Sequence, residues 1–129
     1  MQVVARPCPG LARLIEDGDL DAPALRDSIA LHTAALREAG VDTVVLGCTH
    51  YAFVHPQIQQ AMGPDVCIID TAEAVARHAA HRLQGLVQPV DAPARLLTTG
   101  DPQRLRRIAD AWLPFACHVE GLSPDDPLQ

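Results

Sequence analysis

An apolar, β-branched run that follows directly on a helical pattern constrains the fold of this chain more than any other feature. Apolar residues recur at helical spacing between Pro23 and Ala39, which predicts a helix over that range. Gly40 then suits the left-handed conformation that ends many helices. Residues 41–46 are mostly apolar and predict a buried strand of a parallel sheet. A helix that leads into such a strand favours an α/β fold.

The same alternation continues along the chain, which has 129 residues and is 48% hydrophobic. That length and composition suffice for a globular domain with its own core. Further helices are predicted over residues 56–62, from 70 or 71 to about 84, and from 102, with strands over 66–69, 95–98 and 116–119. A proline-containing linker is predicted over residues 88–93. The order of these elements predicts a mainly parallel sheet.

Charge and cysteine content exclude several classes of function. The net charge of −6 disfavours a general surface for nucleic acid or for anionic membranes, since both require a basic patch. No apolar run approaches the roughly 18 residues of a transmembrane helix, and the first residues do not resemble a signal peptide. The four cysteines lie far apart and form no CxxC pair. We therefore expect a cytoplasmic protein with free thiols.

The strongest candidate site lies directly after the strand at residues 41–46. Gly47 permits a tight turn there, and Cys48, Thr49 and His50 follow it. Ligands of open α/β sheets bind at the carboxyl ends of the strands. A thiol beside an imidazole is a plausible acid or base near neutral pH. The alternative is that Cys48 only fills the strand end, because cysteine is often buried as a small apolar residue.

Other candidate groups carry weaker signals. His78 and His81 have a helical spacing that can bind a metal, but no third ligand is clearly placed, so an exposed helix face is the simpler interpretation. His32 is expected to border the core. The remaining cysteines, Cys8, Cys67 and Cys117, are interpreted as structural.

An ordered set of motifs resembles the glutamate racemases of the aspartate/glutamate racemase family. The segment VDTVVLGCTHY at residues 41–51 is similar to the family's second cysteine motif. The other matching segments are Cys8-Pro9, LIEDG at 14–18, IID at 68–70, TTGDP at 98–102 and AWL at 111–113, in the family's order. TTGDP favours glutamate racemase over the related aspartate and hydantoin racemases. The resemblance spans nearly the whole chain and implies partial Rossmann-like domains with parallel sheets.

The resemblance also implies residue roles. Cys48 would be the second of two cysteines that transfer the α-proton, one on each face of the carbon. Thr49 would bind the substrate carboxylate or amine, and His50 would contact substrate and assist Cys48. Glu16 falls on the family's acidic residue that supports this side of the site. Ala52 stands where the family often has proline, a change that removes no reacting group. The family uses neither pyridoxal phosphate nor a metal.

The family's first half, with an Asp-Ser motif and a first cysteine followed by Asn-Thr, has no counterpart in this sequence. The resemblance therefore implies a C-terminal half. Residues 1–70 would be the later part of the second racemase domain, and residues 71–129 would return to complete the first. We expect this half to be inactive alone, to expose apolar faces and to need the missing N-terminal half, and a homodimer is left open.

The implied function is interconversion of L- and D-glutamate, supplying D-glutamate for peptidoglycan. Two alternatives remain open at this point. One is a non-catalytic fragment or binding module of the same fold, and the other is a related aspartate or hydantoin racemase.

Overall fold

A computed structural model describes residues 2–86 and 92–123 of the chain, which forms two compact units, Met1–Leu86 and Val87–Gln129. The first unit contains α1 (Leu11–Glu16), α2 (Pro23–Glu38), β1 (Thr43–Leu46), a 3₁₀ helix (Thr49–Val54), α3 (His55–Met62), β2 (Cys67–Asp70) and α4 (Ala72–Leu83). The second contains β3 (Ala94–Thr98), α5 (Pro102–Trp112) and β4 (Cys117–Gly121). Most of the predicted linker at 88–93 lies outside the described residues.

The junction between α2 and β1 has the geometry predicted for it. Gly40 adopts a φ of 64°, in the left-handed region that favours glycine. Its N–H donates to the Arg37 carbonyl at 2.9 Å, and the Val41 N–H donates to the Leu36 carbonyl at 3.3 Å. This pair of bonds is the Schellman motif, which satisfies carbonyls left open at the helix end. The motif ends the helix sharply and turns the chain into β1.

Strand β1 pairs in parallel with β2 in a two-stranded sheet, with Leu46 opposite Asp70. The predicted α/β fold with parallel pairing is confirmed. Because paired parallel strands end at the same edge, the residues after Leu46 and those after Asp70 lie together. The Thr71 hydroxyl donates to the Leu46 carbonyl at 3.4 Å across this edge.

The core of the first unit lies between its helices and the end of β1. Ile15, Leu25 and Val54 have fully buried side chains. The rest of this core consists of Leu11, Ile29, Leu46, Ile58 and Met62. His32 is buried at 8% exposure, in line with its predicted position, and its Nδ1 has no hydrogen-bond partner among the described residues. These contacts anchor α1 and the 3₁₀ helix, the two elements that carry the site.

Apolar residues on two parts of the first unit, the sheet and helix α4, are left uncovered. The prediction that β1 is fully buried is wrong, since Val45 is 60% exposed, and Ile69 on β2 is 45% exposed. The physical reason is that the sheet has two strands within the described residues, so each is an edge strand with few neighbours to cover it. Helix α4 has no buried residue, and its Val75 and Leu83 are 66% and 52% exposed. The unit thus presents an apolar surface to solvent.

The second unit is a smaller parallel βαβ arrangement. Strand β3 pairs in parallel with β4, and α5 connects them. The predicted start of α5 is confirmed, because the Asp101 carboxylate accepts a hydrogen bond from the Gln103 N–H at 2.8 Å and Pro102 follows the cap. None of the helices within residues 2–86 and 92–123 combines the length and apolar character needed to cross a bilayer. The racemase domain boundary at residue 70 stays a prediction.

Candidate active site

Cys48 lies one residue beyond the glycine that follows β1, as the sequence predicts. Its backbone is extended, with φ −137° and ψ 135°, and it caps the 3₁₀ helix Thr49–Val54. The Tyr51 N–H donates to the Cys48 carbonyl at 3.0 Å and closes the first turn. Sequence reasoning missed this helix, which turns the chain back on itself immediately after the thiol and so brings His50 beside it.

Three of the four predicted site residues form one chain of side-chain contacts. The Cys48 Sγ lies 3.6 Å from His50 Nδ1, and His50 Nε2 lies 2.7 Å from Glu16 Oε1. The residues come from two separate segments, the end of α1 and the start of the 3₁₀ helix. The fully buried side chain of Ile15, next to Glu16, holds that end of α1 against the core. We call Cys48, His50 and Glu16 the thiol relay.

The relay has a defined direction for proton movement. When Nε2 of His50 carries the hydrogen, it donates to the Glu16 carboxylate, and the lone pair of Nδ1 faces the thiol. Cys48 can then lose its proton to Nδ1, and the carboxylate stabilises the resulting imidazolium. The side chains of His50 and Glu16 are 31% and 36% exposed, so the relay can exchange protons with water.

Thr49, the fourth predicted residue, occupies the first position of the 3₁₀ helix and is exposed. It lies next to Cys48 in the chain, at the same open edge of the sheet. Its predicted contact with a substrate carboxylate or amine stays a prediction.

A second pair of groups, Cys8 and Tyr51, lies beside the relay and was not predicted. The two side chains are hydrogen-bonded, and both interact electrostatically with Cys48. Burial raises the pKa of the Tyr51 phenol to about 12, and the two thiols add to this effect. Burial also raises the pKa of the Cys8 thiol, against the opposing effects of the Tyr51 hydrogen bond and of Arg6. Both groups are therefore protonated near neutral pH.

An open cavity of about 900 Å³ adjoins the relay and is lined by Cys8, Cys48 and Tyr51. Most of its remaining wall is apolar and includes Leu11, Ile29, Leu36, Val44, Leu46 and Ile58. The Cys48 thiol thus faces a space large enough for a small molecule.

The raised pKa of Cys8 leads to a testable pH dependence. Because the thiolate is the reactive form, alkylation of Cys8 by iodoacetamide should still accelerate at a pH where that of glutathione has levelled off. Peptide mass spectrometry across a pH series measures the rate. In the urea-unfolded chain the profile of Cys8 should shift back to lower pH. If the alkylation rate of Cys8 levels off at the same or a lower pH in the folded chain than in the unfolded chain, the pKa of Cys8 is not raised by folding.

Metal-binding side chains do not cluster in the part of the chain that the structure describes: no group of three or more His, Cys, Asp or Glu residues could hold an ion there. His78 and His81 are both exposed on α4. All four cysteines are free.

Comparison with known proteins is consistent with this geometry. A glutamate racemase from Pseudomonas putida F1 is 46% identical over 122 residues, covering 92% of this chain and 44% of that protein. One from Herpetosiphon aurantiacus is 43% identical over 112 residues, covering 84% of this chain and 44% of that protein. A crystal structure of a glutamate racemase isoform from Bacillus anthracis matches with a TM-score of 0.81 at 30% identity, covering 96% of this chain and 48% of that one. The chain spans about half the length of the relatives it matches.

The model of one protein family, described as Asp/Glu/hydantoin racemase, matches residues 2–79. That range is more than half of the chain and contains the whole thiol relay, together with Cys8 and Tyr51. The chain therefore belongs to the Asp/Glu/hydantoin racemase family.

Proposed function

We propose that this chain supplies one wall of a glutamate racemase active site, in which Cys48 exchanges the α-proton from one face of the substrate. The observation that carries the proposal is the thiol relay, with sulfur 3.6 Å from an imidazole that is itself held by a carboxylate at 2.7 Å. A base of this kind can remove a weakly acidic C–H proton when the developing negative charge is also stabilised.

The relay acts on one face only, and inversion of a carbon needs a proton donor on the opposite face. A second thiol on another chain segment would provide it. The two thiols then exchange roles with direction: one as thiolate removes the proton, and the other as thiol returns one. Cys8 is a poor candidate for this second thiol, because it interacts directly with Cys48 and would therefore lie on the same side of the substrate. Its raised pKa also disfavours the thiolate that one direction of the reaction needs. Thr49 would bind the substrate carboxylate or amine at the edge of the sheet.

Glutamate is the proposed substrate because the similar proteins are named glutamate racemases, at 46% and 43% identity. The TTGDP segment at residues 98–102 favours the same choice over aspartate or a hydantoin. With this substrate, the product D-glutamate would serve peptidoglycan synthesis. We also propose a cytoplasmic location, which the four free cysteines support because free thiols persist in that compartment.

The proposed partner is the other half of the racemase fold. The chain matches 44% of the length of its Pseudomonas relative and 48% of the Bacillus structure. The uncovered apolar residues of the sheet and of α4, with Val45 60% exposed and Val75 66% exposed, offer apolar surface of the kind that such a half would cover. A second copy of this chain could cover the same residues instead. It would not supply the different cysteine expected in the missing half.

A chimera tests the proposal directly. The chimera fuses, in front of this chain, the segment of the Pseudomonas putida relative that precedes its matched region. Circular dichroism of the reaction mixture measures the interconversion of L- and D-glutamate. We expect the chimera to racemise glutamate and the 129-residue chain alone to show no conversion. Aspartate and a hydantoin serve as competing substrates.

Three outcomes would count against the proposed function. A folded chimera that binds glutamate without turning it over would favour a non-catalytic binding module. A chimera that prefers aspartate or the hydantoin would keep the racemase chemistry and change the substrate. Conversion by the chain alone would remove the need for a second half.

A further inference from the structure

The order of contacts in the thiol relay supports a second kind of chemistry. The Cys48 sulfur contacts Nδ1 of His50, and the carboxylate of Glu16 contacts Nε2. A thiol, a base and a group that orients the base are the three parts that activate a cysteine for attack on an acyl carbon. The distance of 3.6 Å is normal for a contact to sulfur in the absence of substrate.

All three parts lie in the first compact unit, within residues 16–50. Racemisation requires a second thiol on the far side of the substrate, but nucleophilic attack requires a single sulfur. Chemistry that uses the relay as a nucleophile therefore needs no residue from another chain.

The cavity beside Cys48 indicates which acyl groups fit. Its volume is about 900 Å³, and its lining includes the apolar residues Leu11, Val44 and Ile58. Two side chains of opposite charge, Arg6 and Asp42, also border it. Cys8 and Tyr51, two polar groups of that wall that interact with Cys48, are neutral at pH 7 because burial raises the pKa of each. A short, uncharged, apolar acyl chain is favoured there over a charged one.

We propose that this chain accepts a short apolar acyl group on Cys48 from an activated ester or thioester and transfers it to water. In the first step the Cys48 thiol gives its proton to His50 Nδ1, and the sulfur forms a bond to the acyl carbon. The bond from that carbon to the leaving group breaks, and the leaving alcohol or thiol takes the proton from His50. In the second step water attacks the thioester, His50 accepts a proton from the water and returns it to the departing Cys48 sulfur, and the carboxylic acid is released.

Glu16 is a positioning residue in this scheme. Its carboxylate accepts a hydrogen bond from Nε2–H and so keeps the lone pair of Nδ1 directed at the thiol. Partial exposure of His50, at 31%, gives water access to the imidazole for the second step. The proposal does not depend on the racemase function, because it concerns the 129-residue chain by itself.

The test uses the full 129-residue chain with para-nitrophenyl acetate and para-nitrophenyl butyrate. We expect an initial burst of nitrophenolate equal to about one acyl group per chain, followed by slower turnover, as for other covalent catalysts. Peptide mass spectrometry of the burst-phase protein should locate the acyl group on the peptide that contains Cys48. An ester with a charged acyl group, para-nitrophenyl hydrogen succinate, should react more slowly than the butyrate ester.

Variants separate the relay from the background reactivity of a thiol. His50→Gln should slow acylation by about 100-fold, in the range for loss of a general base. Glu16→Gln should slow acylation by about 10-fold and make the acylation rate vary less with pH. Losses of this size are typical of residues that orient a ligand or a base without reacting themselves. Cys117→Ser, in the second compact unit, is the matched control and should react as the unaltered chain does.

Measurements on the unaltered chain can decide the proposal without relying on any variant's folding. Acylation of Cys67 or Cys117 at the same rate as Cys48 in the unaltered chain would overturn it, as would a rate no higher than that of glutathione. Equal rates for folded His50→Gln and the unaltered chain would also overturn it. None of these results bears on the chimera, in which racemisation is measured separately.

Discussion

Cys48→Ala should abolish measurable racemisation by the chimera. The expected fall in kcat is about 10²–10⁴-fold, the range for loss of a general acid or base. Cys48 is the thiol that contacts His50 in the relay, at 3.6 Å, and alanine leaves no atom there that could carry the proton. The effect should fall on kcat more than on KM, since a small side chain that transfers a proton contributes little to ground-state binding.

A matched control separates this loss from a general effect of removing a cysteine. Cys117→Ala deletes the same sulfur atom from β4, in the other compact unit, and should leave kcat within a factor of about 3, as for a substitution away from any reacting group. Polarimetry or a coupled D-glutamate assay measures both variants. Near-normal turnover by folded Cys48→Ala would remove Cys48 from the mechanism.

Leu25→Ala should destabilise the first unit by about 2–5 kcal/mol, the usual cost of truncating a buried leucine. Leu25 is 0% exposed and packs in the core on helix α2. A loss of that size is a large part of the roughly 5–15 kcal/mol that holds a typical domain folded. The urea midpoint, followed by far-ultraviolet circular dichroism, should therefore fall strongly.

The same helix provides the control. Leu31 is 64% exposed, so Leu31→Ala removes the same atoms with little loss of packing. It should change stability by no more than about 0.5 kcal/mol. Equal shifts of the midpoint in the two variants would mean that the buried face of α2 is assigned wrongly.

The elements of this chain could be predicted where local chemistry determines them. The helix predicted from Pro23 to Ala39 is observed as Pro23–Glu38, because its apolar spacing and Gly40 both act within a few residues. The Asp101-Pro102 start of α5 is a similar case. Strand positions were correct to within two residues, since β-branched runs between helices leave few alternatives.

Long-range features could not be predicted from local chemistry. The contact between His50 and Glu16 joins residues 34 positions apart, and only the resemblance to racemases suggested that they act together. The hydrogen bond between Cys8 and Tyr51 joins a loop to the 3₁₀ helix far along the chain, and no spacing in the sequence indicates it. The 3₁₀ helix at Thr49–Val54 is too short to produce an apolar period.

The exposed helix α4 has a consequence for how this chain associates with other proteins. An isolated helix of 12 residues is marginal in water, and no residue of α4 is buried. Any surface that covers Val75 and Leu83 would therefore shift the helix–coil equilibrium as it binds. Part of the binding free energy is then spent on ordering the helix, so that folding of α4 and assembly become thermodynamically linked. Affinity of a partner for this face would rise with any substitution that raises the helical population of α4 in the free chain.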